Sequence, residues 1–78
     1  MGPVEKSKFV QDFGKRVQML REQQGISQEA FAHKAGLHRT AISMIETAKR
    51  SSTLETIDKL AKALGVPAYM LMPDYTED

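Results

Sequence analysis

Four side chains between positions 39 and 44 have the types and spacing needed to contact the bases of a nucleic acid. One face of a helix with 3.6 residues per turn would carry Arg39, Thr40, Ser43 and Met44. An arginine can bridge O6 and N7 of a guanine, hydroxyl groups can bond a base edge or a phosphate, and a methionine can touch a thymine methyl. Taken singly, Arg39, Thr40 and Ser43 also suit a solvated helix surface. Met44 also suits the edge of a core. Together they predict a helix that enters a major groove.

Two short helices joined by a tight turn would position this face. Phe31 and Ala32 supply inward side chains in the first helix, which Ser27 caps. Gly36 can adopt the positive φ that a sharp helix-to-helix turn needs. Ile42 and Ile45 give the second helix, predicted over 39–47, an apolar stripe. This spacing is the helix-turn-helix pattern.

Apolar periodicity predicts further helices on both sides of this pair. The first would span 8–24, capped by Ser7 and burying Phe9. The fourth would follow a capping box that begins at Ser52, and it would place Leu54 in the core.

A short fifth helix would follow Pro67 and contain the cluster Tyr69–Met72. We therefore expect an all-α fold of five helices around one small core. The domain would cover 8–73, with a disordered N-terminus at 1–7 and an acidic tail at 74–78.

Size and composition limit the classes of function that the chain can have. Its 78 residues make at most one domain, and the absence of cysteine excludes disulfides and thiolate metal sites. The net charge is only +1, and acidic residues dominate the last third of the chain. We expect no signal peptide, no membrane span and a cytoplasmic location.

The sequence lacks the side-chain arrangements of an enzyme. His33 and His38 are five residues apart and do not share a helix face as a metal-binding pair would. There is no glycine-rich phosphate loop, cysteine nucleophile or catalytic-looking carboxylate pair. We therefore expect no catalytic residue, metal, cofactor or small-molecule ligand.

The helix-turn-helix and its flanks resemble the phage-repressor, Cro-like (XRE-type) family of DNA-binding proteins over about residues 9–72. The resemblance implies a lambda-repressor-like fold and base contacts from the face described above. It also implies a structural ion pair between Arg21 and Glu46. Phosphate contacts would come from the start of the second helix, the turn and the loop after the third helix, at Gln28, His38, Thr47, Lys49 and Arg50.

The stretch around the third helix is also similar to a narrower group, the controller proteins of restriction–modification systems. These carry an Arg-Thr pair where this chain has Arg39 and Thr40. The chain departs from the group at Ala41, often an aromatic residue there, and at Ala48, usually a glycine. Because alanine disfavours positive φ, the resemblance does not fix the loop after the third helix.

Two hypotheses about partners follow. The first is a homodimer that contacts double-stranded DNA at a palindromic operator, as a transcriptional regulator, with a dimer interface at Tyr69, Met70 and Met72. The second is a protein-binding helical module, such as an antitoxin-like protein that covers a partner with its helices. The second hypothesis depends on the same apolar cluster. A short terminal helix does not need so many apolar side chains unless they form part of the core.

Overall fold

A computed structural model describes residues 7–75 of the chain, and all regular structure in this range is helical. Four α-helices follow one another as α1 (Lys8–Gln23), α2 (Gln28–Ala35), α3 (Arg39–Glu46) and α4 (Leu54–Leu64). A single 3-10 turn, Ala68–Leu71, closes the order. Of the predicted disordered N-terminus at 1–7 and the predicted acidic tail at 74–78, residues 1–6 and 76–78 lie outside the described residues.

The expected fifth α-helix is instead this 3-10 turn. Pro67 stands at its N-cap, and Met72 already has an extended backbone. Because Pro73 follows and cannot continue a helix, the segment has room for only one turn, which the tighter 3-10 geometry accommodates. The side chain of Leu71 is nevertheless fully buried and anchors the turn in the core.

The start of α4 differs from the predicted capping box. The N-cap is Thr53, whose hydroxyl accepts a hydrogen bond from the Thr56 N–H at 3.1 Å. Ser52 lies one residue before the N-cap, and its buried hydroxyl has no hydrogen-bond partner. The sequence pattern placed Leu54 in the core, but the structure leaves it 85% exposed. On a helix of 3.6 residues per turn Leu54 shares its face with the buried Ala61, so its exposure follows from its place at the first helical position and not from the period.

The core brings all four helices together. It is formed by large apolar side chains that are almost inaccessible to solvent, chiefly Val17, Phe31, Ile42, Ile45, Leu60 and Leu71. Ile26, between α1 and α2, and Leu37, between α2 and α3, pack against it. This core fixes the relative positions of α2 and α3.

Gly14 allows a close approach between α1 and the end of α3. A Cβ atom at this position would overlap the carbonyl oxygen of Ile45 and would lie 3.0 Å from that of Glu46. Backbone atoms cannot move aside as a flexible side chain can. The glycine that interrupts the apolar pattern of α1 is therefore required for the packing of α3 against α1.

The C-terminal segment returns along α1. The Arg16 Nε donates to the carbonyl oxygen of Met70 at 2.5 Å. Tyr75 donates its hydroxyl proton to Asp12 and packs edge-on against Phe9, with ring centroids 5.9 Å apart. Phe9 is 42% exposed, so its apolar contact is with this segment and not with the core that the sequence predicts.

Charge contributes to this contact of the C-terminal segment. A hydrogen bond from Lys8 lowers the pKa of the Asp12 carboxyl group, and the hydrogen bond to Asp12 raises the pKa of Tyr75. A carboxyl group whose pKa is lowered by folding contributes stability at pH values above its unfolded pKa. That contribution is lost as the pH falls through its folded pKa. The contact should therefore hold at neutral pH and weaken in acid.

Candidate nucleic-acid interface

The turn between α2 and α3 is set by Gly36. This glycine has φ 69° and ψ 32°, the left-handed region that a Cβ disfavours. Its N–H bonds the carbonyl oxygen of His33 at 3.2 Å, and the next N–H, of Leu37, bonds that of Ala32 at 2.9 Å. These two bonds define a Schellman motif, which ends α2 and turns the chain into α3.

His38 caps the N-terminus of α3, a role that the sequence pattern did not indicate. Its Nδ1 accepts a hydrogen bond from the Thr40 N–H at 3.1 Å, and its backbone is extended. An accepting Nδ1 carries no proton, so in a neutral ring the proton must be on Nε2. The cap thus leaves an N–H donor on an exposed side chain, which a phosphate oxygen could accept.

His38 can be tested in two steps. His38→Ala removes the cap and should lower the free energy of unfolding by about 1 kcal/mol in urea denaturation. His38→Ser restores a cap but has no imidazole N–H, so its stability should match the wild type while its DNA affinity falls. Unchanged DNA affinity in His38→Ser would remove His38 from the phosphate contacts.

The outward face of α3 carries the four predicted base contacts. Arg39 and Thr40 are exposed, whereas Ser43 and Met44 are half-buried lower on the same face. Ile42 and Ile45 on the opposite face are almost inaccessible to solvent. The structure thus brings the four residues together on a helix whose other side is fixed in the core.

Thr47 ends α3 with its hydroxyl already in use. The Thr47 Oγ1 donates to the Ser43 carbonyl oxygen at 2.7 Å. Its predicted phosphate contact would require this proton to turn outward, because a phosphate oxygen can only accept. The residue is exposed, so the rotation is not obstructed by burial.

The side chains of Arg21 and Glu46 form a buried, two-point ion pair between α1 and α3. The Arg21 Nε and Nη2 donate to the two carboxylate oxygens of Glu46 at 2.7 and 3.0 Å. A third donor, Nη1, bonds the carbonyl oxygen of Ile26 at 2.9 Å. The two residues are 8% and 5% exposed, so removing either partner would leave a poorly compensated charge in the interior.

The hydrogen bonds to Glu46 raise the pKa of the Arg21 guanidinium above its ordinary value. A basic group whose pKa is raised by folding contributes stability that is fully present at pH values below its unfolded pKa. That contribution is lost only as the pH rises through its folded pKa. Because an arginine side chain is effectively always protonated, this one stays charged across the whole range in which the protein would be studied.

Gln28 at the start of α2 is joined to the same carboxylate. Its Nε2 donates to Glu46 Oε1 at 3.0 Å, and the side chain is half-buried. The sequence resemblance assigned this residue to a phosphate and did not indicate the contact with Glu46. One N–H of the amide is therefore engaged inside the protein, and its second N–H is left to face a ligand.

The loop after α3 begins at a strained residue. Ala48 has φ 59°, the one positive value among the non-glycine residues from 7 to 75. Its N–H bonds the Ile45 carbonyl oxygen at 3.2 Å, and the Lys49 N–H bonds that of Met44 at 2.8 Å. This is again the Schellman motif, with alanine in the position that favours glycine. Lys49 and Arg50 follow it and are exposed.

Ala48→Gly should therefore stabilise the fold. A left-handed conformation costs an alanine about 1–2 kcal/mol, and the larger backbone entropy of glycine in the unfolded state offsets part of that gain. We expect a net increase of about 1 kcal/mol in the free energy of unfolding, measured by urea denaturation. Ala30→Gly, at an exposed helical position, is the control and should destabilise by a similar amount. Equal losses for both variants would mean that Ala48 is not strained.

Residues 7–75 contain neither a membrane-spanning helix nor a cluster of metal-binding side chains. No helix there has the length and the apolar character to cross a membrane. No group of three or more histidine, aspartate or glutamate side chains in that range could hold a metal ion.

The sequence matches a known family over most of its length. Residues 17–71 fit the profile of the family described as Helix-turn-helix. Control protein C.BamHI from Bacillus amyloliquefaciens is 43% identical over 65 residues, 82% of this chain and 79% of that protein. Control protein C.MunI from a Mycoplasma species is 36% identical over 85% of this chain and 90% of its own length. The HTH-type transcriptional regulator PuuR from Escherichia coli is 45% identical over 53 residues, which are only 29% of that protein.

Solved structures share the fold. The restriction–modification controller protein C.AhdI from Aeromonas hydrophila has a TM-score of 0.80 and 36% identity, covering 81% of this chain and 96% of its own. The hypothetical transcription factor NHTF from Neisseria has a TM-score of 0.81 and 32% identity, covering 96% of this chain and 90% of its own.

Proposed function

Because this chain belongs to the helix-turn-helix family of DNA-binding transcriptional regulators, we propose that it binds a specific duplex site by placing α3 in the major groove. The observation that carries this proposal is the amphipathic character of α3. Arg39 and Thr40 are exposed at its start, while Ile42 and Ile45 fix its other face in the core. A groove of B-DNA admits one helix presented in this way.

The proposed base contacts differ in what each can distinguish. Arg39 at the first helical position would bond O6 and N7 of one guanine through two N–H groups. Thr40 and Ser43 would bond a base edge or an adjacent phosphate. Met44 would contact a thymine methyl with the exposed part of its half-buried side chain.

The proposed phosphate contacts surround this face. Gln28 and His38 each present an N–H beside the N-terminus of a helix, where the partial positive charge favours an anion. Lys49 and Arg50 extend from the loop that follows the Schellman motif at Ala48. Thr47 would contribute its hydroxyl. Such contacts hold the protein in register on any duplex and add affinity without sequence preference.

We also propose that the protein acts as a homodimer on a palindromic operator. One α3 reaches only a few base pairs, whereas two related by a two-fold axis would read half-sites about one helical turn apart. The 3-10 turn offers the contact: Tyr69 is 74% exposed, Met70 and Met72 are half-buried, and Leu71 is entirely in the core.

Tyr69→Glu should therefore produce a folded monomer. Met72 also packs against the core, so Tyr69 is the cleaner position to change. We expect the dimer dissociation constant, measured by sedimentation equilibrium, to rise about tenfold or more when the aromatic contact is replaced by two facing charges. Met19→Glu changes another exposed apolar residue, on α1, and should leave dimerisation intact. A wild-type protein that is monomeric both free and on DNA would contradict the proposal.

The relatives suggest where this regulation operates. Several are named control proteins, and the structurally similar C.AhdI is a restriction–modification controller protein. We propose the same role here, in the cytoplasm: setting the transcription of genes of a restriction–modification system through a nearby operator. Thr40 after Arg39 supports this assignment, since the Arg-Thr pair is a feature of that group.

Selection of bound duplexes from a random pool would test the function directly. The selected site should bind much more tightly than random DNA, and its affinity should fall about a hundredfold between 50 and 200 mM salt. That estimate assumes four lysine or arginine phosphate contacts in a dimer, each releasing about 0.9 counterions. If no duplex exceeded random DNA, the protein-binding helical module would become the better hypothesis.

A further inference from the structure

The buried pair of Arg21 and Glu46 reaches the proposed DNA surface through one side chain. Gln28 donates an amide N–H to Glu46 Oε1 at 3.0 Å, the same oxygen that accepts from Arg21 Nη2 at 3.0 Å. Arg21 and Glu46 are buried, whereas Gln28 is half-exposed at the N-terminus of α2. The three residues therefore form a chain of contacts from the interior to the surface.

We propose that this ion pair positions the Gln28 amide for a DNA phosphate, in addition to holding α1 against α3. The inference rests on the proposed function. It assigns to Glu46 and Arg21 a positioning role, because neither would touch the DNA itself.

The first step of the argument concerns the orientation of the amide. A glutamine amide has a donor end and an acceptor end, and rotation by 180° exchanges them. The Glu46 carboxylate can only accept hydrogen bonds, so it selects the orientation with Nε2 towards it. The two N–H bonds of an amide nitrogen diverge by about 120°, so the second one points away from the carboxylate. A phosphate also accepts only, and this second N–H is the group it requires.

The second step concerns charge. A lone carboxylate one amide away from a phosphate would repel it, and a partly buried site screens that repulsion poorly. The two hydrogen bonds from Arg21 neutralise Glu46 where it faces Gln28. Arg21 thus allows Glu46 to orient the amide without opposing the approach of the anion.

A double-mutant cycle on DNA affinity tests this coupling. Gln28→Ala should weaken binding about tenfold for each protomer bound, the value of one hydrogen bond to a charged group. Glu46→Gln should weaken binding about fivefold when Gln28 is present and less than twofold in the Gln28→Ala background. Charge alone predicts the opposite for Glu46→Gln, because the variant removes a negative charge near the DNA.

The outcomes separate this proposal from the proposed function. If the wild type binds its selected site and Glu46→Gln has the same effect with and without Gln28, the pair is only structural and the positioning role is wrong. If the wild type binds no duplex specifically, the proposed function fails and this proposal fails with it. Circular dichroism and urea denaturation would establish that each variant is folded at the assay temperature.

A measurement on the free wild-type protein covers the case in which Glu46→Gln does not fold. The Gln28 side-chain amide should show one proton protected from exchange with solvent and one unprotected in its nuclear magnetic resonance signals. Gln18, whose amide is directed at the exposed Glu22 at 3.4 Å, serves as the comparison. Equal, rapid exchange of both Gln28 protons would overturn the proposed orientation.

Discussion

Arg39→Ala is expected to weaken binding to the selected operator about tenfold to a hundredfold for each protomer bound, while leaving binding to random DNA nearly unchanged. A lost bidentate contact with a guanine costs about 1–3 kcal/mol of discrimination at one base pair. Arg39 stands exposed at the first position of α3, so its guanidinium is free to approach a base edge. The base preference at one position in each half-site should relax at the same time.

Lys49→Ala is the matched control. Lys49 lies in the loop after the Schellman motif, where the nearest targets are phosphates common to every sequence. The variant should lose affinity for operator and random DNA alike, and the salt slope should fall by about one for each protomer bound. The measurement is a salt titration on both DNAs for each variant. Equal losses on the two DNAs for Arg39→Ala would move Arg39 to the phosphate contacts and leave base recognition to Thr40, Ser43 and Met44.

Gly14→Ala should cause a large loss of stability. Its Cβ would overlap the Ile45 carbonyl oxygen and press on that of Glu46, both backbone atoms at the end of α3. Overpacking of this kind costs about 1–3 kcal/mol, although alanine by itself favours a helix by up to about 1 kcal/mol. We expect a net loss of about 2 kcal/mol, or roughly 8–16 °C in Tm for a domain of this size.

Gly25→Ala distinguishes crowding from backbone strain. Gly25 has φ 70°, but a Cβ there would meet no atom within 4 Å. Gly25→Ala should lower the free energy of unfolding by about 1 kcal/mol, because of the left-handed conformation alone. Thermal denaturation of both variants provides the comparison. A Gly14→Ala protein as stable as the wild type would mean that α1 and α3 can separate without cost, and that the close approach does not hold the recognition helix.

The sequence predicted the helix-turn-helix closely because its signals are local. Caps at Ser7 and Ser27, the left-handed Gly36 and the apolar stripe of α3 each depend on residues within one or two turns. Family resemblance added Arg21 and Glu46, which are separated by 25 positions and which the structure joins in one ion pair. No local pattern would have paired them.

The failures have different physical origins: one is a contact between distant segments, and two lie at the ends of helices. Phe9 fitted the apolar period of α1, but its partner is Tyr75 from the other end of the described chain. Leu54 fitted the apolar period of α4, but it stands at the first helical position and is exposed. The cap at His38 was missed because histidine is not among the residues that usually cap helices, although its Nδ1 can accept as a hydroxyl does.

The return of the C-terminal segment along α1 brings the two ends of the described chain together. The Tyr75 hydroxyl lies 3.4 Å from the carbonyl oxygen of Lys8, one residue into the first helix. Any domain or tag joined before Ser7 would leave the fold beside one joined after Tyr75, and the two would compete for the same space. A short linker between these ends could instead close the chain into a ring, with new termini opened in an exposed loop, while every helix keeps its neighbours.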